Sequence, residues 1–374
     1  MNILILEPFL GGSHAAWAEE YAQRSRHDVS ILGLPGRHWK WRMHGGAVTL
    51  ARRFFETSCT PDLLLATDML DLAVFLALTR RRTAGVRAVL YFHENQICYP
   101  WSSSDPDPGL GRDVHYGFIN LTSALAADAV AFNSEYHRAA FLKAVGPYLR
   151  GFPDYTEPDA AGRIEAKSRV LHLGLDLARF DRYKRRRRPG EPALILWNHR
   201  WEHDKNPEDF FRALSVLKDK GLEFEVAVLG EAYAQSPPVF EEARASLGAR
   251  IVQMGFVEDF EAYAAWLWEA DITPVTSRQD SFGASVVQAI HCDTFPLLPR
   301  RLAYPEHLPG GEDRFFYDDF EDLLTRLKHA ITNISETRSI SVRASVARYD
   351  WAAMAPQYDT FLESIATGDT AGLP

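Results

Sequence analysis

Twice along this chain, short apolar runs alternate with amphipathic stretches, and one charged break rich in proline and glycine separates the two series. The first series places strands at Asn2–Glu7, Val29–Leu34, Leu63–Thr67, Ala88–His93, Ala129–Asn133 and Val170–Leu173. Helical patterns at Ala15–Arg24, Leu70–Arg82 and Tyr116–Ala126 lie between them. The second places strands at Ala193–Asn198, Phe224–Leu229, Arg250–Met254, Asp271–Val275 and Phe295–Leu298, with helices at Pro207–Lys220, Phe260–Ala270 and Ala284–His291. Strand–helix alternation of this kind calls for a parallel sheet covered by helices on both faces. The break runs from Phe180 to Pro192 and contains Pro189 and Gly190. At 374 residues the chain exceeds one comfortable core, given roughly 150 residues per domain. The expectation is an α/β protein of two Rossmann-like, doubly wound domains, residues 1–180 and 193–350, joined by a linker at 181–192 and facing a central cleft. Phe320–Ile331 and Trp351–Ile365 read as amphipathic closing helices, and Trp101–Asp113 and Gly151–Gly162 as mobile loops.

Composition removes several classes of function. No basic segment followed by an apolar run and a small-residue cleavage site opens the chain, and no window approaches the roughly 18 apolar residues of a membrane span. A cytoplasmic protein without membrane partners is expected. Cys59, Cys98 and Cys292 are far apart, so neither a disulfide framework nor a zinc site is expected. A formal charge of -9 argues against a protein coated in basic surface, though not against a local basic patch. The run from Tyr183 through Lys184 and Arg185 to Arg188 is either such a patch or a solvated linker.

Chemistry concentrates where strands end. Ile195–Asn198 runs into His199 and Arg200, and Lys205 follows just before a helix. In doubly wound folds that end of the sheet is where ligands bind. Two cations there suit a diphosphate, each charge-assisted hydrogen bond contributing about 1.5–3 kcal/mol, and would stabilise a nucleoside-diphosphate leaving group. Further on, Asp280, Ser281, Phe282, Gly283 and Ala284 form a turn opening a helix whose first N–H groups suit an anion. Asp280 and Gln288 bracket that turn, one able to reach sugar hydroxyls and the other a ribose diol. Ordinary surface cations beside a turn would explain Arg200 and Lys205 singly; the combination with the Asp280–Gln288 turn points to a nucleotide-sugar site.

The second half is similar to that of retaining GT-B glycosyltransferases, whose signature is an Arg/Lys pair followed by an acid-x7-acid motif. Asp280 stands where the usual Glu would be, and Gln288 replaces the second acid, keeping an acceptor oxygen and adding a donor. The segments Glu7–His14, Tyr91–Gln96 and Phe132–His137, with Tyr304-Pro305-Glu306, resemble the glycosyltransferase-like domain-containing family of tRNA-queuosine alpha-mannosyltransferases over roughly residues 1–310. That resemblance implies a GT-B architecture in which a last helix, about 351–366, crosses back to the first domain. It also implies transfer of mannose from GDP-mannose to queuosine at the tRNA wobble position, with retention and without a metal or other cofactor. Arg200 and Lys205 would hold the diphosphate, Asp280 the hexose and Gln288 the ribose, and His93 would contact the sugar at the reacting centre. Gly11, Gly12 and Ser13, with Phe282, Gly283 and Ala284, are the donor-side backbone candidates. Glu94, Asn95, Gln96, Asn133 and Ser134 are the acceptor-side candidates, although a helix cap alone also explains Asn133 and Ser134. His14, His44 and His115 stay unassigned.

Two other readings compete. A lipid or polysaccharide acceptor would ask for a basic-aromatic amphipathic helix, which the acidic Ala15–Arg24 does not supply. A non-catalytic nucleotide-sugar or tRNA-binding module is suggested by Gln288. For tRNA, Arg80-Arg81-Arg82, Arg185–Arg188 and Arg37, His38 and Lys40 are candidates to track phosphates, and Trp39 and Trp41 to stack on an unpaired base. Surface arginines and core tryptophans would explain the same residues.

Overall fold

A computed structural model describes residues 1–102, 105–185, 190–231 and 237–368. The chain divides into two compact units, one comprising Met1–Leu175 with Trp351–Pro374 and the other Asp176–Asp350. In the first unit six strands pair in the order β2-β1-β3-β4-β5-β6: β1 (Asn2–Leu10), β2 (Asp28–Pro35), β3 (Leu63–Thr67), β4 (Arg87–Phe92), β5 (Ala129–Phe132) and β6 (Ser168–Val170). In the second the order is β12-β11-β10-β7-β8-β9: β7 (Ala193–Asn198), β8 (Phe224–Leu229), β9 (Ile251–Gly255), β10 (Ile272–Pro274), β11 (Phe295–Pro299) and β12 (Phe316–Tyr317). Every pairing is parallel. Counted from β7, the second sheet has the 3-2-1-4-5-6 order of dinucleotide-binding folds, with its switch point between β7 and β10. The first reverses direction between β1 and β3. Crevices at the carboxyl ends of these strands are therefore where ligand-binding side chains are to be sought.

The central strands are apolar on both faces because helices cover both: β3, β5, β7 and β11 are buried along their whole length. Helices not foreseen in the sequence pattern, Trp39–Glu56 and Val239–Leu247, supply much of that cover, together with Glu135–Leu149, which starts at the expected Ser134 cap. The helix Trp351–Thr367 packs on the first unit, where Tyr21 donates to Asp359, Trp17 donates to Tyr358 and Trp351 donates to Glu20. Gly174 is glycine because the indole of Trp351 lies 2.4 Å from where a Cβ would stand. Among the described residues no helix is long and apolar enough to cross a membrane.

Several expectations need correction. The linker does not start at 181: a 3-10 helix spans Ala178–Tyr183, Phe180 is buried in the second unit's core, and Trp268 donates to its carbonyl. Arg186, Arg187 and Arg188 of the basic run lie outside the described residues. Arg185 sits near Glu261 and Glu269. Of the expected loop Trp101–Asp113, Ser103 and Ser104 lie outside the described residues, and the part from Asp105 on is pinned by Lys40, whose ammonium pairs with Asp105 at 2.7 Å and Asp107 at 2.6 Å, while Tyr116 donates to Asp107. The segment 151–162 runs into a helix, Ala160–Glu165, that buries Ala160 and Ile164. Strand six ends at Val170, three residues short of the expected Leu173.

Candidate active site

In the second unit β7 delivers His199 and Arg200 at its carboxyl end, and the chain turns through a 3-10 helix, His203–Lys205, into the helix Pro207–Asp219. This turn rests on the neighbouring strand: a Cβ on Gly230 would stand 2.0 Å from the His199 carbonyl, so only glycine fits after β8. The Asp204 main-chain carbonyl accepts from the backbone N–H groups of Arg278 and Gln279, and Thr276 donates to the carbonyls of Lys205 and Asn206. The loop after β7 is thereby stitched to the loop after β10, across the switch point.

Lys205 is buried there, 8% exposed, with its ammonium 3.0 Å from the Gln279 carbonyl, 3.4 Å from Asp280 and 3.2 Å from Asp204. Burial disfavours the charged amine, but Asp280 and Asp204 outweigh it and raise the Lys205 pKa above its ordinary value. Reciprocally, burial works against the Asp280 carboxylate, and Lys205 with the Tyr304 hydroxyl (3.1 Å) holds its pKa below the usual range. Arg200, half exposed, lies 3.2 Å from Glu202. Burial beside Lys205 lowers His199 to about 4, so it is a neutral ring. Gly283 has φ +88° and a Tyr304 ring atom 3.0 Å from any added Cβ; it opens the helix Ala284–His291. Ala284 and Ser285 precede the first helical bonds, which start at Val286, so their N–H groups suit an anion. Gln288 accepts at 2.7 Å from the Tyr263 hydroxyl, which also receives a bond from Asn198. Asn198 and Gln288 are thus linked across the same strand end. The Phe282 ring is buried against His307 and Tyr349 and its carbonyl accepts from His307 at 2.6 Å, so the side chain anchors the turn whose backbone is the donor-side candidate.

In the first unit the carboxyl ends of β1, β3 and β4 bring Glu7, Asp68 and His93 together. Glu7 is wholly buried and accepts from the Phe9 N–H at 2.8 Å and from His14 Nδ1 at 2.9 Å. The His14 ring lies 4.3 Å from that of His93, and Trp17 and Tyr91 meet His93 edge-on. Burial opposes a charge on His14, but Glu7 outweighs it and lifts the pKa to about 9, making it an imidazolium. Burial, then the His14 cation, pushes His93 well below its ordinary pKa, so His93 is neutral; its Nε2 is buried with no hydrogen-bond partner among the described residues. Burial, with Glu94 and Glu7 nearby, raises Asp68 to about 8, although its carboxylate accepts from the His93 N–H at 2.7 Å. Ligand atoms of Glu7, His14 and His93 lie within 4.8 Å of one another, a spacing compatible with a metal ion; the direct Glu7–His14 bond satisfies that pair without one.

Other candidates of this unit turn out to be framework. Gly11 packs on Gly36, whose Cα would lie 3.0 Å from an added Cβ, so the requirement for glycine comes from the neighbouring backbone. Gly12, at φ +54° with open space around it, and Ser13 remain exposed in the first helical turn. Asn95, Asn133 and Ser134 are buried: Asn95 bonds His137 Nε2 and the Cys98 N–H, Asn133 bonds His137 Nδ1 and the His93 carbonyl, and Ser134 caps the helix Glu135–Leu149. They fix the loop that carries His93 and spend their polar atoms doing so. Glu94 and Gln96 are half-buried and bonded to each other at 3.0 Å. The arginines 80 to 82 end a helix that starts at the carboxyl edge of the sheet, which places them at the opposite edge; Arg82 donates to the carbonyls of Phe54, Thr57 and Cys59. Sequence reasoning missed Glu7, His14, Asp68 and Asp204 as ionisable site residues. A carboxylate inside an apolar strand, as in Ile5-Leu6-Glu7, was the available signal.

Two doubly wound units with ligand-facing strand ends of this kind define the GT-B class of glycosyltransferases. The fold matches Anabaena HepE in complex with UDP (TM-score 0.68, 18% identity, 97% of this chain and 100% of that one) and the sucrose-phosphate synthase of Thermosynechococcus elongatus (TM-score 0.69, 14% identity, 98% and 99%). Residues 2–175 match the family model described as tRNA-queuosine alpha-mannosyltransferase N-terminal. The chain is 35% identical over 317 residues to the tRNA-queuosine alpha-mannosyltransferase of Drosophila melanogaster, covering 82% of each chain. It belongs to the tRNA-queuosine alpha-mannosyltransferase family.

Proposed function

We propose that this protein transfers α-mannose from GDP-mannose to queuosine in tRNA, in the cytoplasm, with retention of anomeric configuration. The observation that carries the donor half is the buried Lys205–Asp280 pair at the β7/β10 switch point, beside Arg200 and the helix opening at Gly283. The mannosyl and queuosine assignments rest on the family. Lys205 and Arg200 neutralise the diphosphate and the charge that grows on it as the C1–O bond to phosphate breaks. Asp280, held by Tyr304, accepts from mannose hydroxyls, and the Gln288 amide donates to the ribose diol. The bond from an acceptor oxygen to C1 forms on the face the phosphate leaves, and the acceptor's proton passes to that phosphate oxygen. His93, neutral at pH 7, donates or accepts a hydrogen bond to the sugar. No step calls for a metal.

The test is to incubate purified protein with GDP-mannose and queuosine-containing tRNA, digest the RNA and weigh the nucleosides. A hexose increment on queuosine is expected. Donor binding without any increment would favour a non-catalytic binding module, and an increment from UDP- or ADP-sugars alone would change the donor assignment.

A further inference from the structure

The helix Trp39–Glu56 opens beside the glycine turn that follows β1. Gly36 and Gly11 approach so closely that a Cβ on Gly36 would stand 2.8 Å from the Gly11 Cα. The chain therefore enters Arg37, His38 and Trp39 from beside the end of β1, the strand that carries Glu7. Trp39, Trp101 and Tyr116 form a wall with ring centroids 5.1–6.2 Å apart, Phe9 packs on it, and Phe9 lies 6.0 Å from His14. Lys40 lies over both indoles at 5.7 and 5.2 Å while paired to Asp105 and Asp107, so its ammonium stiffens this wall.

Two residues on, turned away from the Trp39 side of the helix, Trp41 is 65% exposed. Its indole covers Gly45: a Cβ there would meet the ring at 2.7 Å. A glycine inside a helix costs about 1 kcal/mol against alanine, and here it makes room for a ring that the core does not use. Arg37 and His38 precede this helix, His44 lies three residues after Trp41 with its ring 6.3 Å from that of His115, and all four are exposed. A large apolar ring held on the surface, with exposed cationic and titratable side chains within four residues of it along the chain, fits an unstacked base with its phosphates, the combination single-stranded nucleic acid binds. On a chain of net charge -9, such a patch has to be local.

We propose that this surface binds the single-stranded loop of the RNA acceptor, with Trp41 stacking on a base and Arg37 contacting a phosphate. The proposal rests on the tRNA reading above and locates its acceptor contact. The experiment measures binding of a fluorescent anticodon stem-loop RNA by anisotropy, at several salt concentrations, to wild type, Trp41→Ala, Trp41→Tyr and Arg37→Glu. Loss of a stacking ring should weaken binding by about 5- to 100-fold, with Trp41→Tyr recovering most of it. Removing one phosphate contact should lower the salt slope by about 1. GDP affinity and melting temperature serve as controls and should not move. Unchanged RNA affinity in both Trp41→Ala and Arg37→Glu overturns the proposal and leaves the exposed indole to a protein partner, even if wild type mannosylates tRNA. Weakened RNA binding in a protein that transfers no mannose would uphold the surface and sink the enzymatic reading.

Discussion

Replacing Lys205 with methionine tests the donor site most sharply, because the side chain is buried and its three partners are known. Its ammonium bonds the Gln279 carbonyl at 3.0 Å and lies 3.4 and 3.2 Å from Asp280 and Asp204. At an effective dielectric of about 20, unit charges near 3.3 Å attract by about 5 kcal/mol, most of which offsets the cost of removing the ions from water. Deleting only the cation leaves both carboxylates buried with that cost uncompensated, so Lys205→Met should lose about 3–5 kcal/mol of stability at pH 7. In wild type the Asp280 pKa is depressed, so its contribution is present above the unfolded carboxylate pKa and disappears as pH falls through the folded one. Without Lys205, Asp280 takes up a proton more readily, and the gap between variant and wild type should narrow from pH 7 to pH 5. Urea unfolding at both pH values reads this directly, and adding Asp280→Asn should recover part of the loss. The same substitution should lower kcat/KM about 10- to 150-fold through one lost charge-assisted bond to the diphosphate. A variant as stable as wild type at pH 7, or one whose deficit grows on acidification, would refute the reasoning.

Gly230→Ala, at φ +117° and 2.0 Å from the His199 carbonyl, should cost at least about 1–3 kcal/mol and displace the Arg200 turn, seen as a lower melting temperature with weaker GDP binding; a fully stable variant would show that the turn can shift at no cost. Gln288→Leu should raise the donor KM about tenfold, the worth of one hydrogen bond, with kcat nearly kept; an equal fall in kcat would place Gln288 at the reacting centre. For Glu7→Gln the sign follows from His14, whose pKa is raised to about 9. The pair's contribution is fully present below the unfolded value of about 6.5 and lost as pH rises through the folded one. Melting temperatures of wild type and Glu7→Gln should therefore converge between pH 6.5 and 9, and a constant gap would contradict the assigned charge.

How much of this was legible beforehand follows from what each signal reports. Strands such as Leu63–Thr67 and Phe224–Leu229 stand out because a parallel strand buried on both faces is a bare apolar run between polar segments. The helix Trp39–Glu56 was hidden by Gly45 and Gly46, which weaken its helical pattern while making room for Trp41 and Pro8. Arg200, Lys205 and Asp280 could be nominated from chain order alone, since cations and an acid at strand ends are conspicuous. Glu7 with His14, and Asp204 with Lys205, acquire meaning only from burial, which spacing along the chain does not encode. Asn95, Asn133 and Ser134 illustrate the converse: polar clusters at a strand end look like a binding surface until His137 is seen to consume them.

A structure determined with GDP-mannose bound tests the central claim most directly. The account predicts diphosphate oxygens within hydrogen-bond distance of Lys205 Nζ and the Arg200 guanidinium, the ribose on Gln288 and the hexose on Asp280. A nucleotide seated elsewhere, with Lys205 bonded only to its own protein's carboxylates, would contradict it.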